Sequence, residues 1–154
     1  MCQEKMKIAV VNGSNINILG IRQPDIYGTE TWNCIEERLV KLADKLKVQI
    51  MFFQSNHEGD IVDFIQENMM KLDGIVINPA AFTSHGFSIL DALMALPTPF
   101  VEVHLSNIFA REQSQKETIF AEKAVGHING FCGYVYELGL LAIWDYLKKN
   151  RSKI

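Results

Sequence analysis

Apolar and polar residues alternate along this chain at two periods. Four short apolar runs, Lys7 to Val11, Val48 to Phe53, Gly74 to Ile77 and Pro99 to Val103, read as buried strands. Between them the spacing turns helical. Thr31 to Leu46 carries Ile35, Leu39, Leu42, Ala43 and Leu46 on one face, with Glu36, Glu37 and Lys41 mostly opposite. Gly59 to Leu72 repeats Ile61, Phe64, Ile65 and Met69 at helical spacing, and Phe87 to Met94 stops before Pro97. A fifth apolar run, Ala124 to Ile128, is interrupted by Gly126 and His127. The last helix spans Gly133 to Lys149, with Tyr134, Leu138, Leu141 and Trp144 on one face and basic residues closing its carboxyl end. Strands alternating with helices predict an α/β fold built on a parallel sheet.

Four of these strands end in polar clusters: Asn12 to Asn17, Gln54 to Glu58, Asn78 to His85, and Glu102 to Asn107. All strands of a parallel sheet point the same way, so the clusters gather along one edge, where open α/β sheets bind ligands. The first cluster opens a long loop that runs to Gly28 and carries three asparagines, Arg22 and Tyr27. A tight βα connection has no need of that chemistry.

Composition narrows the picture. With 154 residues and 48% hydrophobic content, the chain is expected to form one domain over residues 1–154, with residues 1–5 a disordered N-terminus. A net charge of -3 supplies no basic field for nucleic acid. No apolar run approaches the roughly 20 residues of a membrane span, and the start lacks the layout of a signal peptide, so a cytoplasmic protein is expected. Cys2, Cys34 and Cys132 form no CxxC pair, which suggests neither a disulfide framework nor a zinc site. Cys34 and Cys132 read as small buried apolar residues, and Met69 and Met70 as core filler.

The strand-end residues carry the chemistry. Glu102 and His104 are i and i+2 on one strand, so the carboxylate can hold one ring nitrogen and set what the other presents, as a general acid requires. Taken alone, His104 also fits a strand-end histidine satisfied by backbone. Tyr27 follows Arg22 by five residues. A free tyrosine ionises near pH 10, and bringing that close to neutral takes roughly 3 to 4 kcal/mol of preference for the phenolate. One guanidinium at about 4 Å supplies roughly 4 kcal/mol at an effective dielectric of 20, less the cost of desolvation. An aromatic lid residue beside a surface arginine fits the same pair. Asn15 and Asn78 offer amide donors to a carboxylate or a water, and the backbone N–H groups of Leu105 and Ser106 can form an anion nest. Arg111 is the other arginine near these loops, and the polar stretch from Gln113 to Thr118 invites a lid reading.

The ordered motifs N-G-x-N-x-N-x-L-G-x-R-x-P-x-x-Y-G, F-Q-S-N-H-E-G, I-N-P-x-A-F-T and E-V-H-L-S-N-x-x-A-R-E resemble those of type II 3-dehydroquinate dehydratase, from about Met6 to Leu147. The resemblance implies a flavodoxin-like three-layer sandwich with a five-stranded sheet of order 2-1-3-4-5. It implies a homododecamer, a tetramer of trimers, in the shikimate or quinate pathway. The reaction implied is anti elimination of water from 3-dehydroquinate through an enolate, giving 3-dehydroshikimate without metal, Schiff base or cofactor. Tyr27 matches the base, Arg22 the arginine that supports its phenolate, and Asn15 the residue that holds a water against the enolate oxygen. His104 matches the acid that protonates the departing hydroxyl, with Glu102 orienting it. Asn78 and the backbone at Leu105 and Ser106 match the groups that hold the substrate carboxylate. Arg111 matches a structural arginine, and Asp91 an aspartate that reaches a neighbouring subunit's site.

The departures fall together. Ser84 stands at the family's substrate-binding histidine, with His85 one place later. Leu90 replaces an arginine, and Gln115 replaces the second lid arginine, although Lys116 is adjacent. Ser14 replaces a proline and Gln23 a glutamate. The proton-transfer set is intact, while the groups that grip the substrate's C4 and C5 hydroxyls are altered. A related cyclic hydroxy-keto acid as substrate, or a non-catalytic homologue, are the competing readings. A phospho-acceptor receiver would need acidic residues where Asn12 and Asn78 stand.

Overall fold

The computed structural model describes residues 5–21, 23–110 and 117–151. Arg22, Arg111 and Gln115, residues 113–116 of the expected lid, Cys2, and all but one of residues 1–5 lie outside the described residues.

The elements in chain order are β1 (Lys7–Asn12), α1 (Pro24–Tyr27), α2 (Trp32–Leu46), β2 (Gln49–Gln54), α3 (Glu58–Glu67), β3 (Gly74–Asn78), α4 (Phe87–Met94), β4 (Phe100–His104), β5 (Gly126–Asn129) and α5 (Tyr134–Arg151). The five strands pair in parallel in the order β2-β1-β3-β4-β5. The strand-end asparagines and His104 are thus the last residues of their strands, still held in the ladder.

The period of two sends alternate strand residues to opposite faces. Ile8, Val10, Val76, Val101 and Val103 meet Ile35 and Leu39 of α2 and Tyr136, Leu140 and Ile143 of α5. Ala9, Val11, Ile75, Ile77 and Phe100 meet Ile61 and Ile65 of α3 and Ile89 and Leu93 of α4. Helices therefore cover both faces, as near-continuous apolar strands demand. No helix among the described residues is long and apolar enough to cross a membrane.

Four sequence expectations need correction. Helix α3 ends at Glu67 rather than Leu72, because the Asn68 side chain donates to the Phe64 carbonyl (2.8 Å) and Met70 turns into the left-handed region at φ 62°. That turn carries Met69 and Met70 to the surface, at 44% and 81% exposure, so neither fills the core. Cys34 and Cys132 are exposed thiols, not buried apolar residues. The buried stripe of α5 is Tyr136, Leu140, Ile143 and Leu147, while Tyr134 is exposed and Leu138, Leu141 and Trp144 are half-buried. Gly139 decides this, since a Cβ there would lie 2.8 Å from Val103 Cγ1; the helix approaches the sheet along its glycine side.

Candidate active site

Three strand ends interlock before any catalytic side chain is placed. The Gly13 N–H donates to the Asn78 carbonyl (2.8 Å), and a Cβ on Gly13 would stand 2.1 Å from the Pro79 carbonyl oxygen. Only glycine lets the loops after β1 and β3 approach so closely. Gln54 at the end of β2 donates to the Gly13 carbonyl (3.3 Å), and Asn56 accepts from the Asn15 N–H (2.9 Å). Asn15 itself takes a left-handed conformation (φ 68°), which asparagine tolerates better than most residues.

A buried tyrosine ties the two strand-end asparagines together. The Asn78 Nδ2 donates to Tyr136 Oη (2.9 Å), which donates to Asn12 Oδ1 (2.7 Å). Asn78 Oδ1 accepts from the Ala80 N–H (3.1 Å), so the amide is oriented from both ends. Burial pushes the Tyr136 phenol well above its ordinary range, and the group stays protonated as a donor.

At the end of β4, Glu102 is fully buried and His104 nearly so. His104 Nε2 lies 2.7 Å from Glu102 Oε1, which also accepts from Thr118 Oγ1 at 2.6 Å. Against a carboxylate Nε2 is the donor, which leaves Nδ1 to hold or release a proton. The i, i+2 expectation is met. Across the ladder His127 pairs with Glu102 and stacks edge-on against His104, ring centroids 5.4 Å apart. Burial lowers the proton affinity of His127; Glu102 opposes the shift and His104 reinforces it.

These elements surround a cavity of about 230 Å³. Asn15, Tyr27, Asn78, Ser84, His104, Leu105 and Ser106 line it together, while Glu102 stands behind His104. His85 is exposed beside the cavity, its Nδ1 3.4 Å from Ser84 Oγ and its ring edge-on to Phe82. Asp91 is exposed on α4 and does not line the cavity of its own chain. Sequence reasoning missed four participants: Tyr136, Thr118, His127 and Glu117, the last a carboxylate on the cavity wall. Glu117 and Thr118 alone carried a signal, as the far end of the expected lid.

The model of the family described as dehydroquinase class II matches residues 6–144. A 3-dehydroquinate dehydratase of Prochlorococcus marinus (strain MIT 9515) is 48% identical over 146 residues, 95% of this chain and 100% of the relative. One of Carboxydothermus hydrogenoformans is 45% identical over 145 residues, 94% of each chain. The crystal structure of type II dehydroquinase from Butyrivibrio crossotus superposes with a TM-score of 0.87 at 36% identity, covering 90% of this chain and 97% of that one. That from Propionibacterium acnes gives 0.86 at 34% identity, covering 92% and 99%. Sheet order, the polar strand ends and similarity along nearly the whole length agree: the chain belongs to the class II dehydroquinase family.

Proposed function

We propose that this chain is a hydro-lyase that converts 3-dehydroquinate to 3-dehydroshikimate by anti elimination of water. The observation that carries the reading is the meeting of Tyr27, from the loop after β1, and the Glu102-held His104, from the end of β4, at one cavity. In this reading the Tyr27 phenolate removes the proton from the carbon beside the ketone. The electron pair moves to the carbonyl oxygen as an enolate, against which Asn15 holds a water. His104 then protonates the C1 hydroxyl, the C–O bond breaks, and water departs as the enone forms. Glu102 keeps the ring aimed. The substrate carboxylate lies at Asn78 and the N–H groups of Leu105 and Ser106. Arg22 supports the phenolate.

The altered hydroxyl end gives a second reading its one support. Ser84 lines the cavity where the family's motif has a histidine, so a related hydroxy-keto acid is the alternative substrate. The working form we propose is a cytoplasmic homododecamer with Asp91 reaching a neighbour's cavity. Its exposed thiols Cys34 and Cys132 suit a reducing compartment.

The test is the ultraviolet absorbance of the conjugated enone on mixing the protein with 3-dehydroquinate, beside Tyr27→Phe. Turnover that the variant lacks is the expected result. No turnover by the folded protein would sink the substrate assignment, and near-normal turnover by Tyr27→Phe would remove tyrosine from the role of base.

A further inference from the structure

Glu102 and His127 are register partners across β4 and β5, and His104 follows Glu102 by two residues. Register partners and i, i+2 neighbours project from the same face of a sheet, so the three side chains converge. One donor atom from each lies within 4.8 Å of the others. Glu102 Oε1 is engaged by His104 and Thr118, but Oε2 has no hydrogen-bond partner among the described residues. His127 Nε2, 3.8 Å away and also buried, has none either. Two buried polar atoms at this separation leave no room for a water between them, but two metal–donor bonds of about 2.1 Å can span it. Two imidazoles and a carboxylate are the donors of zinc and of the neighbouring divalent transition metals.

We propose that Glu102, His104 and His127 capture a divalent transition cation, zinc or cobalt, and that the captured ion switches the enzyme off. Metal–donor bonds of about 2.1 Å require donor separations below about 4.2 Å, so the ion draws His127 inward by a small ring movement. At His104 the metal takes the Nε2 position, and the proton held there leaves to solvent. A ring that carries metal at Nε2 cannot gain the second proton that makes it imidazolium, and the acid is lost. The inhibition rests on the reading of His104 as the acid; the binding does not.

Cobalt(II) titrated into the intact protein is therefore expected to give visible d–d bands at one ion per chain, displaced by zinc. Capture by the exposed cysteines would instead give an intense near-ultraviolet thiolate band. His127→Gln should weaken cobalt binding by at least about tenfold, the scale of losing a supporting group at a metal site. Ring signals of the four histidines supply a readout that needs no variant: cobalt should broaden those of His104 and His127 and spare His57 and His85. Zinc should stop turnover, and chelation should restore it. Absent d–d bands, or binding that is unchanged in His127→Gln and broadens other histidines, would overturn the site. Cobalt seated at these histidines with turnover intact would uphold the site and overturn the inhibition, and with it the role of His104.

Discussion

Tyr136 is silent in the sequence, yet it orders the polar strand ends. Its hydroxyl joins Asn12 and Asn78, so Tyr136→Phe strips an acceptor from one buried amide and a donor from the other. The expected cost is about 1 to 3 kcal/mol in urea unfolding, with turnover reduced because Asn78 is no longer aimed. His127 makes a second prediction. Burial, partly offset by Glu102 and aided by His104, depresses its proton affinity in the folded state. As pH falls below its ordinary value of 6.5, the unfolded chain takes up a proton that the folded one refuses, and stability drops. His127→Gln should flatten that part of the stability profile. Ser84→His should lower the Michaelis constant for 3-dehydroquinate; an unchanged value would mean that the neighbouring residues already grip the hydroxyls. The Glu102–His104 pair was legible because i and i+2 share a face of any strand, whatever sheet it joins. The partners of Tyr136 lie 58 and 124 positions away, and His127 meets Glu102 only through strand register, so no local pattern could announce either. Cys34, Cys132 and Met70 misled because type alone was taken to imply burial, and Met69 because the helical spacing runs past the end of α3.

Among the elements, two glycines separate what sets the site from what sets the core. A methyl at Gly13 collides with backbone at Pro79, which has nowhere to go, so Gly13→Ala should part the loops after β1 and β3. A loss of about 3 kcal/mol and most of kcat/KM is expected, read by thermal unfolding and the enone assay. At Gly139 the added methyl meets the Val103 and Val76 side chains at 2.8 and 3.0 Å, and α5 can ease away from them by a few tenths of an ångström without moving a loop of the site. Gly139→Ala should cost about 1 to 2 kcal/mol and leave kcat nearly unchanged. The strands and the main helices were readable to within about a turn from their periods. The end of α3 was not, because the Asn68 cap and the left-handed Met70 stop the helix while the apolar spacing runs on to Leu72.

For the whole molecule, the sheet order puts the β1 loop beside the end of β3 and His104 one strand further along. Asp91 is exposed on α4, flanked on that helix by the exposed Phe87 and Met94. A surface of this kind fits the proposed assembly, and mixing tests it. Tyr27→Phe and Asp91→Ala, each expected to be inactive, should regain part of the activity when unfolded and refolded together, since some shared sites would then carry both native residues. No recovery, with native mass spectrometry showing mixed oligomers, would mean that each cavity is complete within its own chain.

The Asn12–Tyr136–Asn78 bridge also bears on how the protein is made. Synthesis runs from β1 toward α5, so both asparagines leave the ribosome long before the hydroxyl that joins them. Until residue 136 and the rest of α5 emerge, the inner strands lack their cover on one face and the two amides lack the hydroxyl that joins them. A nascent chain released before α5 should therefore be insoluble and inert, and activity should arrive as a single late event in translation.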